Sequence, residues 1–374
     1  MKSNCILLLT FTLLCLLSIW GIQAQQIQEK PWTLGPFQRF TNEAPIITKN
    51  PTSAFTDPVS GEDVRWESKA TFNPAAIVRN DSIFVFYRAE EDLGEDKIGR
   101  HTSRLGLAVS TDGLNYTRSP EPVFYPDTDK QQKYEWPGGT EDPRIVETEE
   151  GLYVLTYTQW NREVPRLAVA TTTDLKTWKK HGPIFKNYKK GKYHTRETKS
   201  GAIVTRLNDD NKPVAAKING KYWMYFGVPH IWLAHSDDLI HWTPLENEDG
   251  NLVPVLSPRP GYFDSWLVEA GPPPLLTDEG IVVLYNAGNS QSLGVKDLGN
   301  RTYSGGQALF DPREPWKLLD RTDHPFIKPE LPFEKSGQYK DGTTFIEGLV
   351  YFKNAWYLYY GTADSMVGVL KSGL

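Results

Sequence analysis

The chain has 374 residues, a formal net charge of −5, 12 % aromatic residues, 30 glycines and 27 prolines. That length allows one large β domain or two ordinary ones. The weak acidity, deepened by one charge when Lys2 is lost with the leader, argues against nucleic acid and anionic membrane surfaces as partners. Both cysteines, Cys5 and Cys15, fall in the first two dozen residues, so the rest of the chain must be held by a sizeable core without disulfides.

Residues 1–24 read as a signal peptide. Lys2 gives a positive start, residues 6–20 are almost wholly apolar, and Ala24 places a small residue at the cleavage point. The expectation is an exported, periplasmic protein with no membrane insertion after leader cleavage. A retained anchor is the rival reading, because the apolar run is long for a signal peptide. Residues 25–65 are expected to supply an arm and an outer closing strand.

Beyond residue 65 one kind of segment recurs: "IFVFYRA" from Ile83, "LYVLTYT" from Leu152, "YWMYFGV" from Tyr222, "IVVLYNA" from Ile281 and "WYLYYGT" from Trp356. The starts are 69, 70, 59 and 75 residues apart. Each run is rich in aromatic and β-branched residues, short for a helix and preceded by turn residues. A second strand with an Asp-containing turn follows most of them, as in "LGLAVSTDGLNY", "RLAVATTTDLKTW" and "IWLAHSDDLIHW". About four strands fit in each period, and one such sheet cannot bury both faces, so the units must stack. The predicted fold is all-β, a single five-bladed β-propeller over residues 25–374. A two-sheet sandwich does not explain a period near seventy.

Residues at the ends of the recurring strands would converge on the propeller axis. They include Arg88 and Glu90, Gln159 and Trp160, Phe226 and Gly227, Asn286, and Asp364. Between the first two repeats lies "GGTEDPRIV", residues 138–146. Its glycines permit unusual backbone angles, and Pro143 is expected to push Asp142 towards an extended conformation. Arg144 places a permanent cation beside Glu141 and Asp142, and a loop tied by an internal ion pair is the plain alternative to a site.

These residues carry a resemblance. "GGTEDPRI", with "FNPAAIV" at 72–78, "YRAEE" at 87–91, "SRLGLAVSTDG" at 103–113, "GPPP" at 271–274 and "YYGTAD" at 359–364, resembles family 130 of the glycoside hydrolases in the same order. That family comprises mannoside phosphorylases and β-mannosidases on a five-bladed propeller. The resemblance implies that Asp142 is the catalytic acid, acting directly or through a sugar hydroxyl. It implies that Asn73, Arg88 and Asp364 hold the non-reducing-end mannose, joined by Arg104 and Arg144. Paired donors and carboxylates suit a neutral, hydroxyl-rich ligand. For Arg88 a salt bridge to Glu90 or Glu91 is the alternative role.

The departures from the phosphorylase pattern bear on the reaction. The phosphorylases have a His-Arg pair where this chain has Phe226-Gly227, and a histidine where it has Asn286. Two residues before Gly271, where a small residue is expected, stands Glu269. A carboxylate repels phosphate but can act on water as a general base. Glu269 is therefore the expected base, with Glu197 in "HTRETKSG" as second candidate and an ion pair with Arg196 or Lys199 as its plainer reading.

The expected function is an exported inverting exo-β-mannosidase acting on a mannose-containing oligosaccharide or glycan, with β-1,2 linkages favoured. A β-mannoside phosphorylase releasing mannose 1-phosphate, with Lys199, Lys217, Arg162 or Arg166 on the phosphate, is one alternative. A non-catalytic mannan-binding propeller is the other. No cofactor is expected, and the seven histidines show no metal-ligand spacing.

Overall fold

The aromatic and β-branched runs are the second strands of antiparallel meanders. In the computed structural model, which describes residues 30–40, 44–94 and 97–373, the chain is nearly all-β. The expected signal peptide and both cysteines lie outside the described residues, and so does any anchor. Among the described residues no helix is long and apolar enough to cross a membrane. Trp32–Leu374 form one compact unit.

Five meanders of four strands follow one another among the described residues. The first contains Ala70–Arg79, Ser82–Glu90, Ser103–Ser110 and Thr117–Arg118. Gly139–Glu147, Tyr153–Trp160, Arg166–Thr172 and Lys179–Pro183 make the second. The third is built from Ala202–Ile203, Lys221–Phe226, Ile231–Ser236 and Trp242–Pro244. In the fourth, Leu267–Ala270 precede Ile281–Gly288, Tyr303–Phe310 and Leu318–Arg321. The fifth takes Thr344–Phe352, Ala355–Thr362 and Met366–Ser372 from the C-terminal end and its outer strand, Phe37–Arg39, from the N-terminal segment. The N-terminal segment thus supplies an outer strand, as expected. Short parallel bridges between neighbours, such as Ser103 with Gly139, join the first, second and fourth meanders into one hydrogen-bonded sheet, but among the described residues no strand order closes on itself.

Both faces of these sheets are covered, which explains why the runs read as continuous apolar stretches rather than alternating ones. All eight residues of Ile281–Gly288 are buried. The first strands of the first, second and fifth meanders pack on one another, so the residues they carry share one locality.

A polar device recurs at the other edge of four of the sheets. A tyrosine of the second strand donates its hydroxyl to a buried carboxylate that precedes the first strand, and the outer strand brings a cation to the same carboxylate. Tyr87 bonds Glu67 at 2.8 Å, with Arg118 alongside. Tyr157 bonds Glu135, with Lys180. Tyr285 bonds Asp264, with Arg321, and Tyr360 bonds Glu334, with Arg39. In the third sheet the corresponding Tyr225 hydroxyl bonds, among the described residues, only the Pro315 carbonyl, at 2.7 Å. The tyrosine rings demand small neighbours: a Cβ on Gly106, Gly306 or Gly368 would lie within 2.4 Å of a ring atom of Tyr87, Tyr285 or Tyr360.

Candidate active site

The first strands open into the site through bulges. The ladder shifts register between Phe72 and Pro74 and again between Glu141 and Arg144. The two displaced residues, Asn73 and Asp142, have φ of 47° and 48°. This corrects the expectation that Pro143 would hold Asp142 extended. The residue before proline is kept out of the right-handed helical region, and within a bulge Asn and Asp tolerate the left-handed one. The glycine pair of the motif serves approach rather than turning alone. A Cβ on Gly138 would fall 2.2 Å from the Trp160 ring, and one on Gly139 2.1 Å from the Ser103 carbonyl.

The two displaced side chains meet. Asn73 Nδ2 donates to Asp142 Oδ1 at 2.8 Å, and Arg88 Nη1 donates to the same oxygen at 3.1 Å. Arg88 Nη2 lies 2.6 Å from Glu90 and 2.8 Å from Glu141, and its Nε donates to Ser103 Oγ at 3.0 Å. Arg88 thus lines the cleft and forms the Glu90 ion pair at once. Its guanidinium also lies over the Phe72 ring. Asp364, at φ 50°, completes this wall.

Glu269 lines the same cleft, on the first strand of the fourth meander and 1 % exposed. Its Oε1 accepts from Ser200 Oγ and is 3.1 Å from Lys199 Nζ, while its Oε2 is buried without a hydrogen-bond partner among the described residues. Asn73, Arg88, Glu141, Asp142, Glu269 and Asp364 share a cleft of about 350 Å3 with Glu90, Trp160, Lys199, Tyr303 and Gln338. Glu197 lines it too, exposed and without an ion pair among the described residues, so neither Arg196 nor Lys199 holds it.

Two expected ligands are not in the cleft wall. Arg104, fully buried, is bound to Asp57 at 2.6 Å and faces Glu91 at 3.6 Å. A guanidinium so deep is a tie between the first meander and the N-terminal segment. Arg144 is 1 % exposed and ties the floor together. It donates to the carbonyls of Asp142, Ala270 and Gly271 and pairs with Glu347 at 2.7 Å. Trp160 lines the cleft, and Trp266 packs edge-on against Tyr303, another lining residue.

The charges are unequal in number, and this sets where protons sit. Burial, with the charges of Asp142 and Glu90, raises Glu141 to about 7 against the pull of Arg88. Burial likewise raises Asp364 to about 7, again opposed by Arg88 and assisted by Asp142 and Glu90. Asp142 is buried as well, but Arg88, Lys199 and the Asn73 hydrogen bond outweigh that and hold it at about 2. Glu141 and Asp142 share Arg88 and titrate as a pair. Glu347, fully enclosed, is pushed well above the ordinary range by burial.

Sequence reasoning alone does not single out Glu141, Ser200 and Glu347 as site residues. For Glu347 a signal exists: "FIEG" stands before the fifth recurring strand as "FNPA" and "EDPR" stand before the first two. The ladder indeed shifts there, between Ile346 and Gly348. Positions 226, 227 and 286 face away from anion chemistry. Phe226 is wholly buried, a Cβ on Gly227 would strike Trp232, and Asn286 exchanges hydrogen bonds with the Ile346 backbone. Arg162, Arg166 and Lys217 are not among the residues lining the cleft.

Comparison with known proteins places this geometry. The glycoside hydrolase 130 profile, described as β-1,4-mannooligosaccharide phosphorylase, matches residues 45–373. The chain belongs to glycoside hydrolase family 130. It is a glycoside-processing enzyme of that family. A 1,2-β-oligomannan phosphorylase from Thermoanaerobacter sp. (strain X514) is 33 % identical over 308 residues, 81 % of this chain and 90 % of its own length. A glycosyl hydrolase from Bacteroides ovatus superposes with a TM-score of 0.90 at 53 % identity, over 92 % of this chain and 95 % of that one. Another family 130 structure has a TM-score of 0.90 at 51 % identity, with coverage of 92 % and 95 %. It is described as showing that this family of mannoside phosphorylases contains glycoside hydrolases that target β-1,2 mannosidic linkages in Candida mannan.

Proposed function

We propose that this family 130 chain is an exported, inverting exo-β-mannosidase that hydrolyses β-1,2-linked mannosides from the non-reducing end. In this reading its five meanders are the blades of a propeller, with the cleft where the first strands meet. One observation carries the choice of hydrolysis. Glu269 occupies the cleft and engages Lys199, while positions 226, 227 and 286 hold a core ring, a glycine and an asparagine bound to backbone. A cleft so arranged offers an attacking phosphate a carboxylate and no uncommitted cation pair. The linkage follows the relatives, one a β-1,2-oligomannan phosphorylase and one described with β-1,2-mannosidic hydrolysis. Export rests on the leader.

In the reaction, Asn73, Arg88 and Asp364 hold the terminal mannose. Asp142 delivers a proton to the glycosidic oxygen, directly or through a sugar hydroxyl, as the bond to the anomeric carbon breaks. A water on the opposite face forms the new bond and gives its proton to Glu269. In the open cleft Asp142 is a carboxylate, but below about pH 7 the Glu141–Asp142 pair carries one proton that a bound sugar can draw onto Asp142.

The second reading, a phosphorylase, is favoured by the names of the curated relatives and by Lys199 in the cleft. Digestion of a β-1,2-mannooligosaccharide with and without inorganic phosphate separates the two. Free mannose in both reactions, resolved by anion-exchange chromatography, is the expected result. Mannose 1-phosphate that forms only with phosphate overturns the hydrolytic reading.

A further inference from the structure

The cation beside Glu269 has a use that the reaction above leaves unassigned. Lys199 and Ser200 approach the same oxygen, Oε1, and leave Oε2 buried with no partner among the described residues. A carboxylate can turn about its last torsion with little preference, so its two oxygens are ordinarily interchangeable. Here they are not. The segment that supplies both donors is itself over-determined. Gly227 N–H donates to the Lys199 carbonyl at 2.8 Å, Ser200 sits at φ 57°, and a Cβ on Gly201 would press on Leu167 and Met224 at 2.8 Å.

We propose that Lys199 is a positioning residue which, with Ser200, fixes one oxygen of Glu269 so that the other faces the attacking water as its proton acceptor. The inference rests on the hydrolytic reading of the same cleft. The unpartnered Oε2 is the atom that reading needs free, while Lys199 and Ser200 occupy the other oxygen. Besides Glu269, the acids that sense the Lys199 charge are Asp142, Glu141, Asp364 and Glu347, and Tyr303 senses Glu269.

The test is the measurement of kcat and KM for β-1,2-mannobiose in Lys199→Met and Lys199→Arg, with Glu269→Gln assayed beside them. In Lys199→Met, kcat near neutral pH is expected to fall by about tenfold to a hundredfold, with KM changed by less than about threefold. Lys199→Arg, which keeps a cationic donor, is expected to restore most of kcat. A near wild-type kcat in Lys199→Met, with Glu269→Gln inactive, overturns the role of Lys199 alone. A fully active Glu269→Gln overturns the base and the positioning role together. Should Lys199→Met not fold, Lys199→Gln, which shortens the side chain and removes the charge, separates the same outcomes by the same fall in kcat.

Discussion

At the scale of single residues, the site is governed by how few cations serve how many acids. Asp142 receives Asn73 and Arg88 on one oxygen, and Glu141 is left with a share of Arg88 and a hydrogen bond from Ser103 Oγ at 3.2 Å. Asp142→Asn is expected to lower kcat by about 10²–10⁴-fold while mannoside binding, followed by calorimetry, stays within a few-fold. The proton on the Glu141–Asp142 pair is lost as pH rises through about 7, so activity should fall along an alkaline limb there. Glu141→Gln removes the group that retains that proton and leaves Asp142 with its lowered value. Its alkaline limb is therefore expected at lower pH, read from kcat/KM profiles of the two proteins.

At the scale of elements, function depends on bulges and stability on the clamps that recur at the sheet edges. Glu135 is wholly buried between the Tyr157 hydroxyl, Gln159 and the Lys180 ammonium. Glu135→Ala strands Lys180 in a largely buried setting and is expected to cost about 3–5 kcal/mol, measured by urea denaturation. The recurring strands were legible because aromatic runs about seventy residues apart need no partner to be seen. So was the Asp142 motif, by resemblance. The clamps were not: each tyrosine lies within a visible run, but its acid stands 20 to 26 residues upstream, and its cation lies on an outer strand. The bulges were hidden because a proline in a strand signals a bent ladder without giving the sign of φ. The contacts of Arg104 and Arg144 were hidden for a related reason. The resemblance placed them among donors to a sugar, and only packing reveals that they donate to Asp57 and to backbone carbonyls.

At the scale of the whole molecule, the cleft stores protons that folding must accommodate. Glu141 and Asp364 have folded values near 7, above their ordinary 4.5 and 3.8. The folded chain therefore binds more protons than the unfolded one between those values, and the stability they contribute is complete below the unfolded values and lost as pH rises through 7. Asp142, lowered to about 2, acts only at much lower pH, and the depressed His181, His194 and His235 act below about 6.5. The thermal midpoint of the substrate-free protein is thus expected to be lower near pH 8.5 than near pH 6.5 by scanning calorimetry. Asp364→Asn should flatten that difference.

The tyrosine–acid–cation clamp is missing from the third meander, where Tyr225 reaches only a carbonyl among the described residues. That sheet keeps its apolar packing, its ladder and pairs such as Lys221 with Asp237, but no buried clamp of this kind among the described residues. It is the natural first unit to open when the native protein fluctuates, and its amides should exchange with deuterium ahead of those of the other four sheets. Lys199 and Ser200 stand at its entrance. Glu269, the proposed base, is thus held through Oε1 from the edge of that sheet, so slow breathing there would set how often the cleft is competent.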